Sequence, residues 1–233
     1  MSVSSKEEYA LVIVTGPIAC GKRSLVSRYF CNKNIYTEIQ PNHYSNRKMG
    51  GKTKSERILD DINVELSSSK NVVIINSGRF FVDEQQLLTC SQTITIIAPT
   101  DLVQFVNKWR VSPDRISMET FRESKFMAGI FHQIESVDPC KNAYLAMMNQ
   151  MYEQMVESCD YRLRINFYKK NGTTITTPLG DFDDRETFLE EMNNLNKQNI
   201  HSQITLLMWA RLNGHKVIPF TYDKSDYSVT CNF

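Results

Sequence analysis

Residues 9–30, YALVIVTGPIACGKRSLVSRYF, constrain the fold more than any other stretch. The apolar run 11–14 is short and β-branched, which suits a buried strand. A turn follows between Gly16 and Gly21, and Leu25, Val26, Tyr29 and Phe30 then recur at helical spacing. Strand, glycine-bounded loop, lysine and helix together describe a phosphate-binding loop. Glycines at its two ends permit backbone conformations and close approaches that a side chain would block. The loop N–H groups and the positive end of the helix converge on an anion, and Lys22 adds a mobile point charge able to follow phosphates. The expected nucleotide-binding residues are therefore Gly16, Pro17, Ile18, Ala19, Cys20, Gly21, Lys22, Arg23 and Ser24, with ATP and Mg²⁺ as the cofactors. Arg23 stands where the usual motif has its hydroxyl, and Ser24, one position later, is the expected metal ligand. If position 23 itself had to hold the metal, the site would be crippled.

The 233 residues are 41% hydrophobic and carry a net charge of +1, which fits one compact α/β domain with a substantial core. No apolar run approaches a membrane span, and the first residues lack the pattern of a secretory signal, so no membrane partner is expected. The six cysteines show no C-x-x-C pair and no neighbouring histidine cluster, and they read as reduced thiols of a cytoplasmic protein. Cys20 lies inside the phosphate loop, where its oxidation would switch the site off, or it simply fills space. Charge is laid out unevenly. Residues 22–57 hold nine Lys or Arg against Glu38 and Glu56, whereas residues 181–191 hold six acids against Arg185 alone. The basic 47–57 segment suits a polyanion such as a nucleic-acid 5′ end, or is a solvated loop.

Further strands are expected at 34–39, 71–76, 93–99 and 161–168, the last paired through an Asn171-Gly172 turn with 173–177. Helices are expected at 55–68, 83–88, 102–109, 118–134 and 142–157, and two more at 183–194 and 202–212. Residues 215–222 and 227–233 form a last strand pair. The pattern gives an α/β fold with a parallel five-stranded sheet covered by helices on both faces, plus a C-terminal β-hairpin and helical extension. Residues 1–168 form the core, with a lid near 108–126, and 169–233 form the extension packed on it. Its hairpin and acidic helix leave a homodimer contact, a second lid or further core open. Ligands of such sheets sit at the carboxyl ends of the strands. The candidates there are residues 16–24, 38–43, 76–79 and 99–101.

These strand ends resemble the P-loop nucleoside and nucleotide kinases. GPIACGK is similar to the loop of deoxynucleoside kinases, and the G-x-x-x-x-G-K-x-[ST] spacing occurs in several nucleotide kinases. The resemblance, over residues 9–135, implies a P-loop kinase-type sheet and a nucleoside or nucleotide substrate. It implies that Glu38 activates the acceptor hydroxyl, that Arg79 binds the acceptor, and that Arg110 and Arg115 close over the transferring phosphoryl group. Phe80, Phe81 and Tyr44 could hold a base, and Trp109 either packs the lid or stacks. Two features depart from the family. The third strand ends in Asn76-Ser77 where an acid is usual, and the lid arginines are sparse.

IYTEIQPNHY, residues 35–44, also resembles a segment of polynucleotide 5′-kinases, with Asn42 in place of an aspartate. Asparagine cannot accept a proton, so His43 or Glu38 would have to serve as the base. Three readings follow: transfer of the ATP γ-phosphoryl group to a nucleoside or its monophosphate; a 5′-kinase for polynucleotides or for a modified base in DNA; and a kinase-like regulatory protein that binds nucleotide without turnover. A phosphate acceptor is already ionised and needs no base, which favours the monophosphate.

Overall fold

The computed structural model describes residues 10–76, 90, 93–109, 139–168, 174–177 and 180–233. Its framework is a six-stranded mixed sheet in the order β2-β3-β1-β4-β7-β8. These strands are β1 (Leu11–Thr15), β2 (Tyr36–Ile39), β3 (Asn71–Asn76), β4 (Ile94–Pro99), β7 (Lys216–Asp223) and β8 (Ser228–Cys231). The first five run parallel, and β8 returns antiparallel along β7. β1 is central, with Leu11 opposite Val72 on one side and Ile94 on the other. A short antiparallel pair, β5 (Ile175–Thr177) and β6 (Gly180–Phe182), stands apart.

Alternation along the strands divides the core. Leu11, Ile13, Val72, Ile74, Ile94 and Ile96 point to one face, where they meet α2 (Lys54–Ser67), α3 (Thr100–Trp109), α4 (Pro139–Ser158) and α6 (Arg185–Leu212). Val12, Val14, Val73, Ile75 and Ile97 point to the other, against α1 (Lys22–Tyr29) and the β7–β8 hairpin. Continuous apolar strands are what a sheet buried on both faces requires. Buried residues from both sides of residue 168 share each of these clusters, for example Ile13 with Leu207 and Val14 with Phe220. No helix among the described residues is long and apolar enough to cross a membrane.

The structure corrects three expectations. Residues 161–168 form helix α5 (Tyr161–Tyr168), not a strand, so the fifth parallel strand is β7 and the sheet gains a sixth, antiparallel member. Asp160 starts that helix, its Oδ1 accepting from the Arg162 N–H at 3.1 Å as an N-cap does. The partner of 175–177 is β6 in place of 161–168. The two C-terminal helices are one: Asn196 and Asn199, in the gap expected between 194 and 202, are buried within α6. The Asn171-Gly172 turn, the 83–88 and 118–134 helices and the lid from residue 110 onward lie outside the described residues.

Candidate functional site

The loop between β1 and α1 sits at the carboxyl end of the central strand. There the chain order reverses, with β3 to one side of β1 and β4 to the other, which is where open α/β sheets bind ligands. Gly16 (φ +144°) and Gly21 (φ +85°) bend the chain as expected, and Ala19 is also left-handed at φ +64°. Gly21 is the N-cap of α1 and provides no side-chain bond. The first-turn N–H groups of the helix thus have no i−4 carbonyl and suit an anion. The close approaches that require glycine come from the protein itself. A Cβ on Gly16 would lie 2.8 Å from Cys20 Sγ and from Pro99 Cγ, and one on Gly21 would lie 2.5 Å from the Tyr222 ring.

Lys22 opens α1 and is only 6% exposed. Its ammonium folds back on the loop, donating to the Gly16 carbonyl at 2.7 Å and to the Pro17 carbonyl, with Cys20 Sγ at 3.8 Å. Burial pulls the Lys22 pKa below its ordinary 10.5, and burial pushes the Cys20 thiol up, so Cys20 is held as a thiol. Arg23 turns away from the loop to donate to Gln40 Oε1 at 2.9 Å, and Gln40 Nε2 donates to Glu38 Oε1. That exposed chain links the α1 N-terminus to the end of β2. Ser24 is exposed in the first turn of α1, where a metal on bound phosphates could meet it.

Asn42 and His43 lie exposed in a short turn, Pro41–His43, that leads from β2. Tyr44 donates its hydroxyl to Asp61 Oδ2 at 2.6 Å and packs on the first core cluster, which leaves it a structural part in this arrangement. The basic segment is partly engaged internally. Lys52 pairs with Asp60 at 2.7 Å, and Arg57 donates to the Ser45 and Arg47 carbonyls. Asn76 is buried at the end of β3, in register with Thr15. Arg79, Phe80, Phe81, Arg110 and Arg115 lie outside the described residues.

Several residues at this loop escape a reading of the sequence. Asn196, fully buried on α6, accepts from the Ile18 N–H at 2.7 Å and donates to the Tyr161 hydroxyl at 2.9 Å. Tyr161 donates in turn to Asn193 Oδ1 at 2.9 Å. The Asp160 N–H donates to the Ala19 carbonyl at 3.0 Å, and Asp160 is buried. The available signal was the spacing of Phe188, Met192 and Asn196, which places one amide on an otherwise apolar helical stripe.

No group of three or more His, Cys, Asp or Glu that could hold a metal occurs among the described residues. Magnesium carried on nucleotide phosphates needs only one or two protein ligands. An open cleft of about 540 Å³, lined by Asn107, Arg211, Gly214, His215 and Val217, lies near the amino end of β7, away from the loop. Comparison of the chain with protein-family models, with curated proteins and with solved structures finds no match.

Proposed function

We propose that this protein is an ATP-dependent phosphotransferase that moves the γ-phosphoryl group to a nucleoside monophosphate or nucleoside. The observation that carries this reading is the Gly16–Gly21 loop with Lys22 at the head of α1, set at the switch point of a largely parallel sheet. The loop amides and the α1 N-terminus hold the donor phosphates. Lys22 leaves its loop carbonyls and follows the charge onto the β- and γ-phosphates, and Ser24 offers its hydroxyl to the metal. Mg²⁺ supplies neutralisation of the charge that shifts to the leaving ADP. The acceptor oxygen bonds to the γ-phosphorus as the bridging oxygen departs with ADP. Most of the rate enhancement in such a site is positioning and fixed charge.

A phosphate acceptor is already ionised and needs no base, which favours the monophosphate; for a nucleoside, Glu38, whose exposed carboxylate accepts from Gln40, is the proposed base. Arg79, Arg110 and Arg115 remain the residues proposed to bind the acceptor and to close the site. The 5′-kinase reading assigns polynucleotide binding to residues 47–57, where Lys52 and Arg57 already have protein partners. The regulatory reading draws on Asn76, an amide where a carboxylate would organise the metal.

The test is transfer from γ-labelled ATP with Mg²⁺ to nucleosides, their monophosphates and 5′-hydroxyl oligonucleotides. Label is expected on a monophosphate. Transfer only to oligonucleotides, weakening steeply with salt, supports the 5′-kinase instead. ATP binding with no transfer to any acceptor supports the regulatory protein.

A further inference from the structure

Ala19 is an alanine in a left-handed conformation, at the middle of the phosphate loop. A side chain disfavours that conformation, so the surroundings must impose it. They do so on both sides. Before Ala19, the Ile18 N–H is taken by Asn196 Oδ1, a contact between residues 178 apart in the chain. The Ile18 side chain is seated with Phe188 and Met192 of the same helix. After it, the Ala19 carbonyl accepts from the Asp160 N–H at 3.0 Å. Phe188, Met192 and Asn196 follow one another at four-residue steps, so a single face of α6 grips the loop. Asn196 is itself fixed. Its amide nitrogen donates to Tyr161, whose hydroxyl donates to Asn193, and Tyr152 donates to the Asn193 carbonyl at 2.5 Å. A buried amide with both ends used is a rigid support.

We propose that Asn196 is a positioning residue that holds Ala19 in the conformation needed for phosphate binding, so that ATP affinity is set in part from α6. The inference rests on the reading of this loop as an ATP site. It predicts a specific genetic interaction. Glycine adopts positive φ without help, so the need for Asn196 should fall when residue 19 carries no side chain.

The experiment is calorimetric titration of Mg²⁺–ATP into Asn196→Leu and Tyr161→Phe proteins, each with and without Ala19→Gly, alongside amide exchange of residues 17–21. Asn196→Leu is expected to weaken ATP binding about 5- to 30-fold and to speed exchange in the loop. Adding Ala19→Gly should restore most of that affinity. Tyr161→Phe, which removes only a hydroxyl, should give a smaller loss with the same rescue, and it decides the matter if Asn196→Leu does not fold. Unchanged affinity in the folded variants overturns the proposal. So does a loss that Ala19→Gly leaves in full, since Asn196 would then be only a packing residue. Failure of the unsubstituted protein to bind ATP is seen before any variant is made, and it removes the reading of the loop together with the inference.

Discussion

Lys22→Ala is expected to reduce phosphoryl transfer by about 10²- to 10³-fold while leaving the protein folded. The side chain is buried, and its charge is balanced by the Gly16 and Pro17 carbonyls, with no carboxylate partner among the described residues. This makes it a charge held in reserve, since an arriving phosphate is a far stronger partner than two carbonyl dipoles. Desolvation already lowers its pKa, so relatively little is lost from the fold when the ammonium is removed. Binding and turnover should fall steeply, whereas the unfolding midpoint should move little. Lys22→Arg should not rescue the activity. A planar fork cannot occupy the narrow space between Gly16, Pro17 and Cys20 that a compact ammonium fills. Steady-state transfer assays paired with circular dichroism melts check both halves. Undiminished turnover in a folded Lys22→Ala protein would remove the lysine from the mechanism.

Gly21→Ala should produce the second large effect, on stability and on binding together. The new Cβ would lie 2.5 Å, 2.6 Å and 2.9 Å from Cδ2, Cγ and Cβ of Tyr222, and the near end of that side chain cannot swing away. The residue is also left-handed at φ +85°. Overpacking and strain together should cost about 2–4 kcal/mol, and the displaced N-terminus of α1 should lose its anion. Gly50→Ala is the matched control. Its φ is +59° with nothing within 4 Å, so only the conformational cost of about 1 kcal/mol applies. Urea denaturation of the two variants separates steric from conformational cost. Equal losses would show that Tyr222 yields.

The parts of this molecule that a reader of the sequence can find are those encoded locally. Residues 11–14 are a continuous apolar run, 71–76 and 93–99 are short, largely apolar and rich in β-branched residues, and they are the three adjacent strands at the centre of the sheet. Gly16, Gly21 and Lys22 announce the loop because their spacing carries the chemistry. YRLRINFY misleads because its alternation fits a strand, while the N-cap bond from Asp160 and its packing beside β5 make it a helix. NNLNKQN misleads for the opposite reason. Its amides look like a break in a helix until Asn196 is seen bonded to Ile18 and Tyr161. The place of β7 beside β4, and the ring of Tyr222 against Gly21, depend on contacts between distant segments that no local pattern records. The chain Arg23–Gln40–Glu38 is of the same kind.

The central claim is that the Gly16–Gly21 loop binds nucleotide phosphates through Lys22, and calorimetric titration of ATP tests it most directly. ATP would be added to the unsubstituted protein with Mg²⁺ and again with the metal chelated, and then to Lys22→Ala. The account predicts one saturable site with a Kd between about 1 μM and 1 mM, tightened by Mg²⁺ and weakened at least about tenfold by the substitution. No saturable binding to the folded protein, or equal binding by Lys22→Ala, would contradict it.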